Sequence, residues 1–417
     1  MDHPGIGTVH AMPRRIVVSI AAAYALAGLV YLLSKSVLST EPEVDLKYIW
    51  VAGRLWAEGI NPYSQEFSRI GDGLLADTNR LDTWLYPPNW WIISRTLAGF
   101  EIEFATFLWR SLNALLLGGG VILIVSACRP CLGSLWVPVG LALFGYASTM
   151  QATAITLSMG QTSIILYFGI CALLFGLLRE RMAWIVGGLV LVALKPNVGI
   201  VLWVGLAALP SQWRALGLAS LVTLGLCIPS FVTSGIGPTM GGLITAYLNY
   251  DGSLEVNASP NITGLRHLAG TLLGVEMSAL QLSIIAALIA WLGGVAMRRR
   301  KKFFIGSHLN RELLFWILLV MMTCVALHSY DFIIFAPLWL LVFSAAYPAY
   351  LRLIAATGLL LIYRSANIAE ITGFKHADTL YLAGSRIDSL ASLVMLLGFS
   401  VYLLLSGLGS VNSRQSR

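Results

Sequence analysis

Long apolar runs, each closed by a few polar residues, recur from one end of the chain to the other. Runs of this kind read as helices that cross a bilayer, whose hydrocarbon core takes about 20 residues of helix. We place them near residues 16–34, 103–127, 134–150, 161–178, 182–194, 198–210, 214–233, 276–297, 311–327, 332–347, 351–366 and 386–407, about twelve in all. The expected fold is all-α, a polytopic transmembrane helical bundle forming a single integral membrane domain over residues 1–417. No internal repeat or low-complexity linker divides it. The first run follows Arg14-Arg15 and has the charged and apolar regions of a signal peptide. It is long enough to span and lacks a small-residue cleavage site, so it is expected to remain as an anchor.

Two breaks in the pattern decide the topology. The apolar stretch 182–210 is interrupted by Lys195-Pro196-Asn197, and proline supplies the physical reason for a broken helix there. Each half is short for a lipid-facing span, a form tolerated where a helix lines a cavity. Tyr86 to Phe100, flanked and held by Trp84, Trp90 and Trp91, is read as a juxtamembrane or re-entrant hairpin. Counted as a span, it would invert every later basic connector.

With these choices one side carries 15 Lys/Arg and three acids, and the other side 12 Lys/Arg and 17 acids. The basic side, with Arg14-Arg15, Arg179/Arg181 and Arg298 to Lys302, is cytoplasmic by the positive-inside pattern, and both termini fall there. The acids gather outside, in large outer loops at about 35–102 and 234–275 and in small ones at 151–160, 195–197, 328–331 and 367–385. These loops could converge on one cavity.

Composition agrees with the pattern. The chain is 57% hydrophobic and 11% charged, with a mean hydropathy of +0.78, and soluble domains carry about twice that charge. The net charge of +7 sits in short connectors between spans, so topology explains it and no nucleic-acid partner is expected. Of five cysteines, Cys171, Cys227 and Cys324 lie in apolar runs. Cys128-Arg-Pro-Cys131 has redox or half-metal spacing, but no second pair or nearby histidine completes a site.

The first outer loop opens with EPEVDLKYIWVAGRLWAEGINPY, residues 41–63. From Asp45 onward Leu46, Ile49, Trp50 and Ala57 share one helical face, with Lys47, Arg54 and Glu58 on another. That pattern predicts an amphipathic interfacial helix with Asp45 at or near its N-cap, ended by the turn Gly59-Ile-Asn61-Pro62-Tyr63. Asp45 is either a cap or, with Glu43 beside it, part of a reactive acidic pair. Lys195 needs an anion or a route to water, because an unpaired buried ammonium is costly. A phosphate at the helix break, a carboxylate partner and snorkelling all meet that need.

His328-Ser-Tyr330-Asp331 joins two spans on the same side, where a histidine beside a phenol and an acid can donate to phosphate or position a hydroxyl. Gln161 opens a span and can bind a sugar hydroxyl. Tyr86-Pro87-Pro88-Asn89 opens the hairpin, and Arg266 with His267 offers a weaker anion site. Asn257-Ala-Ser259 and Asn261-Ile-Thr263 match glycosylation sequons. No D-x-D, Walker, H-E-x-x-H or G-x-S-x-G motif occurs, which argues against nucleotide-driven transport and hydrolase chemistry, and no metal or other cofactor is expected.

In order along the chain, Asp45, Tyr48, Ala52 and Gly59-x-Asn61-Pro62-Tyr63, then Tyr86-Pro87-Pro88, Gly160-Gln161, Leu194-Lys195-Pro196-Asn197 and His328-Ser-Tyr330-Asp331 resemble the GT-C superfamily of membrane-embedded glycosyltransferases. The narrower resemblance is to bacterial polyprenyl-phosphate-mannose-dependent mannosyltransferase-like enzymes, which include the actinobacterial phosphatidylinositol-mannoside mannosyltransferases. That resemblance implies a GT-C-like fold in a bacterial inner membrane with its active site on the outer, periplasmic face. It implies a polyprenyl-phosphate sugar donor and a glycolipid or polysaccharide acceptor. Carried over, Asp45 is the catalytic base, and Lys195, His328 and Arg266 hold the donor phosphate. Glu43, Asn61, Tyr63, Tyr86, Asn89, Gln161, Asn197, Tyr330 and Asp331 line the substrate. A secondary transporter or lipid-linked sugar flippase is the main alternative, because such proteins use broken helices with a midplane lysine.

Overall fold

Apolar length and turn chemistry organise the described residues, 14–37, 44–75, 84–253, 262–299, 307–344, 346–373 and 384–412 of a computed structural model. Among them every regular element is helical. The order is α1 (Arg14–Val37), α2 (Val44–Ala57), α3 (Glu66–Leu75), a 3-10 turn at Pro88–Trp90, α4 (Trp91–Leu97), α5 (Ile102–Leu132), α6 (Trp136–Thr149), α7 (Gln151–Met159), α8 (Ser163–Arg179), α9 (Met182–Val192) and α10 (Pro196–Ala207). There follow α11 (Trp213–Ser234), α12 (Ile236–Ser253), α13 (Leu265–Leu268), α14 (Ala279–Arg299), α15 (Ser307–Cys324), a 3-10 segment at Ser329–Leu338, α16 (Trp339–Phe343), α17 (Ala349–Tyr363), α18 (Ser365–Thr372) and α19 (Ser385–Asn412).

Five helices are long and apolar enough to cross a membrane, at Arg14–Ser36, Ile102–Pro130, Pro210–Ser234, Ala279–Arg299 and Ser385–Ser406. A sixth crossing results if α17 and α18, bent by 82°, count as one. Leu26, Val30, Leu221, Val232, Leu292 and Leu404 stand exposed on these helices, as lipid-facing side chains do. The chain is an integral membrane protein. The other runs of the sequence pattern fall on shorter helices, α6, α8, α9, α10, α15 and the 3-10 segment with α16. That last pair departs from a plain helix because Pro337 removes a backbone donor in the middle of the run.

α8 is buried along most of its length and packs on α5, α9 and α15. At 17 residues it spans about 25 Å, and it separates two chemically different ends. At its C-terminal end Arg179 bonds the Ser126 carbonyl, Arg14 bonds the Ser134 carbonyl at 3.2 Å, and Arg129 lies over the Trp136 ring. At its N-terminal end lie Gln161, Lys195 and Asp331.

The first-loop helix sits deeper than an interfacial helix would. Leu46, Ile49 and Trp50 are buried as the pattern predicts, but so are Val51, Ala52, Leu55 and Trp56, whereas Ala57 is exposed. The reason is Gly53, against which the backbone of Ser94 in α4 packs so closely that a Cβ would collide with the Ser94 carbonyl. α2 is thereby clamped between α3, α4 and α5. Gly59, at φ +74°, ends the helix, and the Asn61 side chain accepts from the Tyr63 backbone at 3.2 Å. Glu43 and both sequon asparagines lie outside the described residues.

Candidate active site

Four chain breaks bring the site together, and each has a local cause. Asp45 lies in the first turn of α2, where the helix dipole favours an acid. Gly160, at φ +69°, caps α7 in a left-handed conformation that suits glycine, and the chain then turns into α8 through Gln161 and Thr162. Lys195 is extended (φ −126°, ψ 96°) and Pro196 takes the first position of α10, where its missing N–H costs nothing. His328 is extended too, and Thr263 pins that stretch by donating its backbone N–H and its hydroxyl to the Leu327 carbonyl, each at 2.7 Å.

An aromatic ladder holds two of these breaks in place. Trp56, Trp84, Tyr86, Trp90 and Trp109 follow one another with ring centroids 5.0 to 6.2 Å apart. The Trp90 indole N–H donates to the Leu194 carbonyl at 2.8 Å, and the Trp109 indole N–H to the Gly160 carbonyl at 2.9 Å. Tyr63 joins the ladder by donating its hydroxyl to the Tyr86 carbonyl at 2.5 Å.

Lys195 has a carboxylate partner. Its ammonium donates to both oxygens of Asp331, at 2.6 and 2.7 Å, and lies 5.5 Å from the centroid of the Tyr330 ring. The His328 and Tyr330 rings stack with centroids 4.9 Å apart. Asp331 also accepts from the Ser163 hydroxyl at 2.7 Å and, at 3.4 Å, from the His328 backbone N–H.

Asp45 faces this group. It is half-buried, with Oδ2 shut off from solvent. Burial pushes its carboxyl up to about 7 from an ordinary 3.8, against the Lys195 ammonium and a hydrogen bond from Gln161, while the Asp331 carboxylate adds to the rise. A carboxylate of that proton affinity can accept a proton near neutral pH. Beside a cation, it forms an acid–base pair suited to activating a hydroxyl next to an anionic leaving group.

Of the residues expected from sequence, Asp45, Gln161, Lys195, His328, Tyr330 and Asp331 come together. Tyr86 borders them through the ladder. Asn61 and Tyr63 are engaged in the turn after α2, and the Asn197 side chain accepts from the backbone of Val198 at 3.1 Å at the start of α10. Asn89 is buried in the turn before α4, and neither amide atom has a hydrogen-bond partner among the described residues. Arg266 is buried on α13, which packs on α15 and α19. Sequence reasoning missed Ser163, Trp90 and Trp109 as members of the site's support. Only the cluster Gln161-Thr162-Ser163 at a span entrance hinted at the first. Among the described residues no cluster of three His, Cys, Asp or Glu side chains is placed to hold a metal ion.

A half-buried acid thus faces a held cation inside a bundle of membrane helices, an arrangement suited to group transfer. The chain belongs to glycosyltransferase family 87, whose profile matches residues 84–329. That stretch contains Tyr86, Asn89, Gln161, Lys195, Asn197, Arg266 and His328; Asp45, Asn61, Tyr63, Tyr330 and Asp331 lie beyond it. Among solved structures the chain is similar to the crystal structure of ArnT from Cupriavidus metallidurans bound to undecaprenyl phosphate. That similarity has 12% identity and a TM-score of 0.41, and covers 94% of this chain and 78% of the other. No curated protein sequence matches the chain.

Proposed function

We propose that this glycosyltransferase is GT-C-like and moves a sugar, mannose or a related hexose or pentose, from a polyprenyl-phosphate donor to a glycolipid or polysaccharide acceptor. The observation that carries the reading is Asp45, raised to about 7 and set against Lys195 at a break between two helices. Asp45 takes the proton from an acceptor hydroxyl as its oxygen attacks the anomeric carbon from the face opposite the phosphate. The bond from that carbon to the phosphate oxygen breaks, its electron pair leaves with the lipid phosphate, and the configuration inverts. Lys195 stabilises the charge that builds on the leaving oxygen, as a fixed cation in a water-poor site does. His328 and Arg266 assist at the phosphate. Gln161 orients Asp45 through its hydrogen bond, and Asn89 offers an amide to sugar hydroxyls.

The outer, periplasmic face of a bacterial inner membrane is the proposed place of reaction, with both termini cytoplasmic and the shorter helices completing about twelve passes. The gathering of Arg14, Arg129 and Arg179 at the end of α8 away from Asp45 supports that orientation. The test is incubation of purified protein in proteoliposomes with labelled polyprenyl-phosphate mannose and membrane lipids. Transfer of label to lipid that is lost in Asp45→Asn is the expected result, and near-normal transfer by that variant would overturn the assignment of the base. A lipid-linked sugar flippase is the second reading, favoured by the breaks at Lys195 and at Arg364, where α17 and α18 meet at 82°. Movement of intact donor across the bilayer without sugar transfer would select it.

A further inference from the structure

Asp331 has no acceptor capacity left for a substrate. A carboxylate offers about four lone-pair positions, and protein donors take all of them. Oδ1 receives Ser163 Oγ and Lys195 Nζ, and Oδ2 receives Lys195 Nζ and the His328 backbone N–H. The residue is 1% exposed, whereas the Lys195 side chain that it grips is 19% exposed. An ammonium has three N–H groups. Two are spent on Asp331 and the Tyr330 ring centroid lies 5.5 Å from the nitrogen, which leaves one N–H of a partly exposed side chain for a further acceptor.

We propose that Asp331 is a positioning residue for the transfer: clamped by Ser163 and the backbone of His328, it fixes Lys195 so that one N–H is left for a single oxygen of the departing phosphate. This rests on the reading of Asp45 as base and Lys195 as the phosphate's partner, and replaces substrate contact by Asp331 with a role through Lys195. The same carboxylate has a second effect. It opposes the pull of Lys195 on Asp45 and so keeps Asp45 basic enough to take a proton.

Among the described residues those two are the charged groups that act on Asp45. The other charged side chains described on α2 and the helices packed against it are Lys47 and Arg54 on α2 itself with Glu58 in the turn after it, the surface pair Glu66 and Arg69 on α3, Arg95 on α4, Glu103, Arg110 and Arg129 on α5, and Arg214 on α11. None of them is a source of its shift.

The test is the pH profile of kcat/KM, which reports groups of the free enzyme, for full-length protein in proteoliposomes with labelled polyprenyl-phosphate mannose. The donor is a phosphodiester and does not titrate near neutrality. Asp331→Asn removes a negative charge, so the acid limb moves to lower pH by about one unit, and Lys195→Met moves it to higher pH by a similar amount. The double variant K195M/D331N buries no lone charge and returns the limb to near the wild-type position. All three turn over at least about tenfold more slowly, from the lost contact to phosphate. An unmoved limb in Asp331→Asn overturns the proposal. If that variant does not fold, an unmoved limb on adding Asp331→Asn to Lys195→Met overturns it equally. Near-normal transfer by Asp45→Asn would instead defeat the underlying reading, so the two failures are told apart.

Discussion

Replacing Asp45 by asparagine should destroy activity and stabilise the fold, and the second effect should depend on pH. The folded-state value of about 7 lies above the ordinary 3.8, so the folded protein holds an extra proton between those values and loses stability as pH rises through that window. Two units of the window lie between pH 5 and 7, worth at most about 3 kcal/mol at about 1.4 kcal/mol per unit. Because the side chain is only half-buried, about 1.5–3 kcal/mol is the expected range after solvent screening. Asparagine does not titrate and escapes this loss. Thermal unfolding of both proteins in detergent at pH 5 and pH 8 should show the variant gaining on the wild type at the higher pH. Transfer by the wild type rises over the same window, falling about tenfold for each unit below 7. A melting difference that is the same at both pH values, or that reverses at pH 8, would refute the argument that burial raises Asp45.

Three further outcomes follow from the geometry. Trp90→Phe removes the donor to the Leu194 carbonyl; it should cost about 1–3 kcal/mol in denaturation and lower kcat by misplacing Lys195, with little change in expression. Gly53→Ala drives a methyl group into the backbone of Ser94, and overpacking of about 1–3 kcal/mol or more should appear as a lower melting temperature together with lost transfer. A cysteine introduced at Ser64 should react with a membrane-impermeant maleimide added outside intact cells, and one at Glu180 only after permeabilisation. The reverse pattern would invert the proposed orientation.

Much of the fold was legible because membrane helices advertise themselves by apolar length, as at α5 and α11, and because proline marks a break, as at Pro196. The turn at Gly59 to Tyr63 was legible for the same local reason. Ala57 was not, because helical periodicity cannot see Gly53 admitting the α4 backbone and burying the opposite face of α2. Nor was the 3-10 course of Ser329–Leu338, which reads as an ordinary apolar run. In the site, Asp45 and Lys195 stood out as charges in apolar surroundings. The pairing of Lys195 with Asp331 was one of several readings open to an ammonium in that position. Choosing among them required the fold, since Ser163 and Lys195 meet Asp331 only in three dimensions.

The four breaks that make the site lie far apart along the chain, with Asp45 close to the beginning and Asp331 well beyond the middle. No partial assembly of helices therefore holds both the base and the held cation. As the polypeptide enters the membrane, Lys195 is without its carboxylate until the stretch after α15 is inserted. A chain stalled before that point contains Asp45 and the aromatic ladder but lacks Asp331, so on the proposed reading of the site transfer would be confined to molecules whose insertion has been completed.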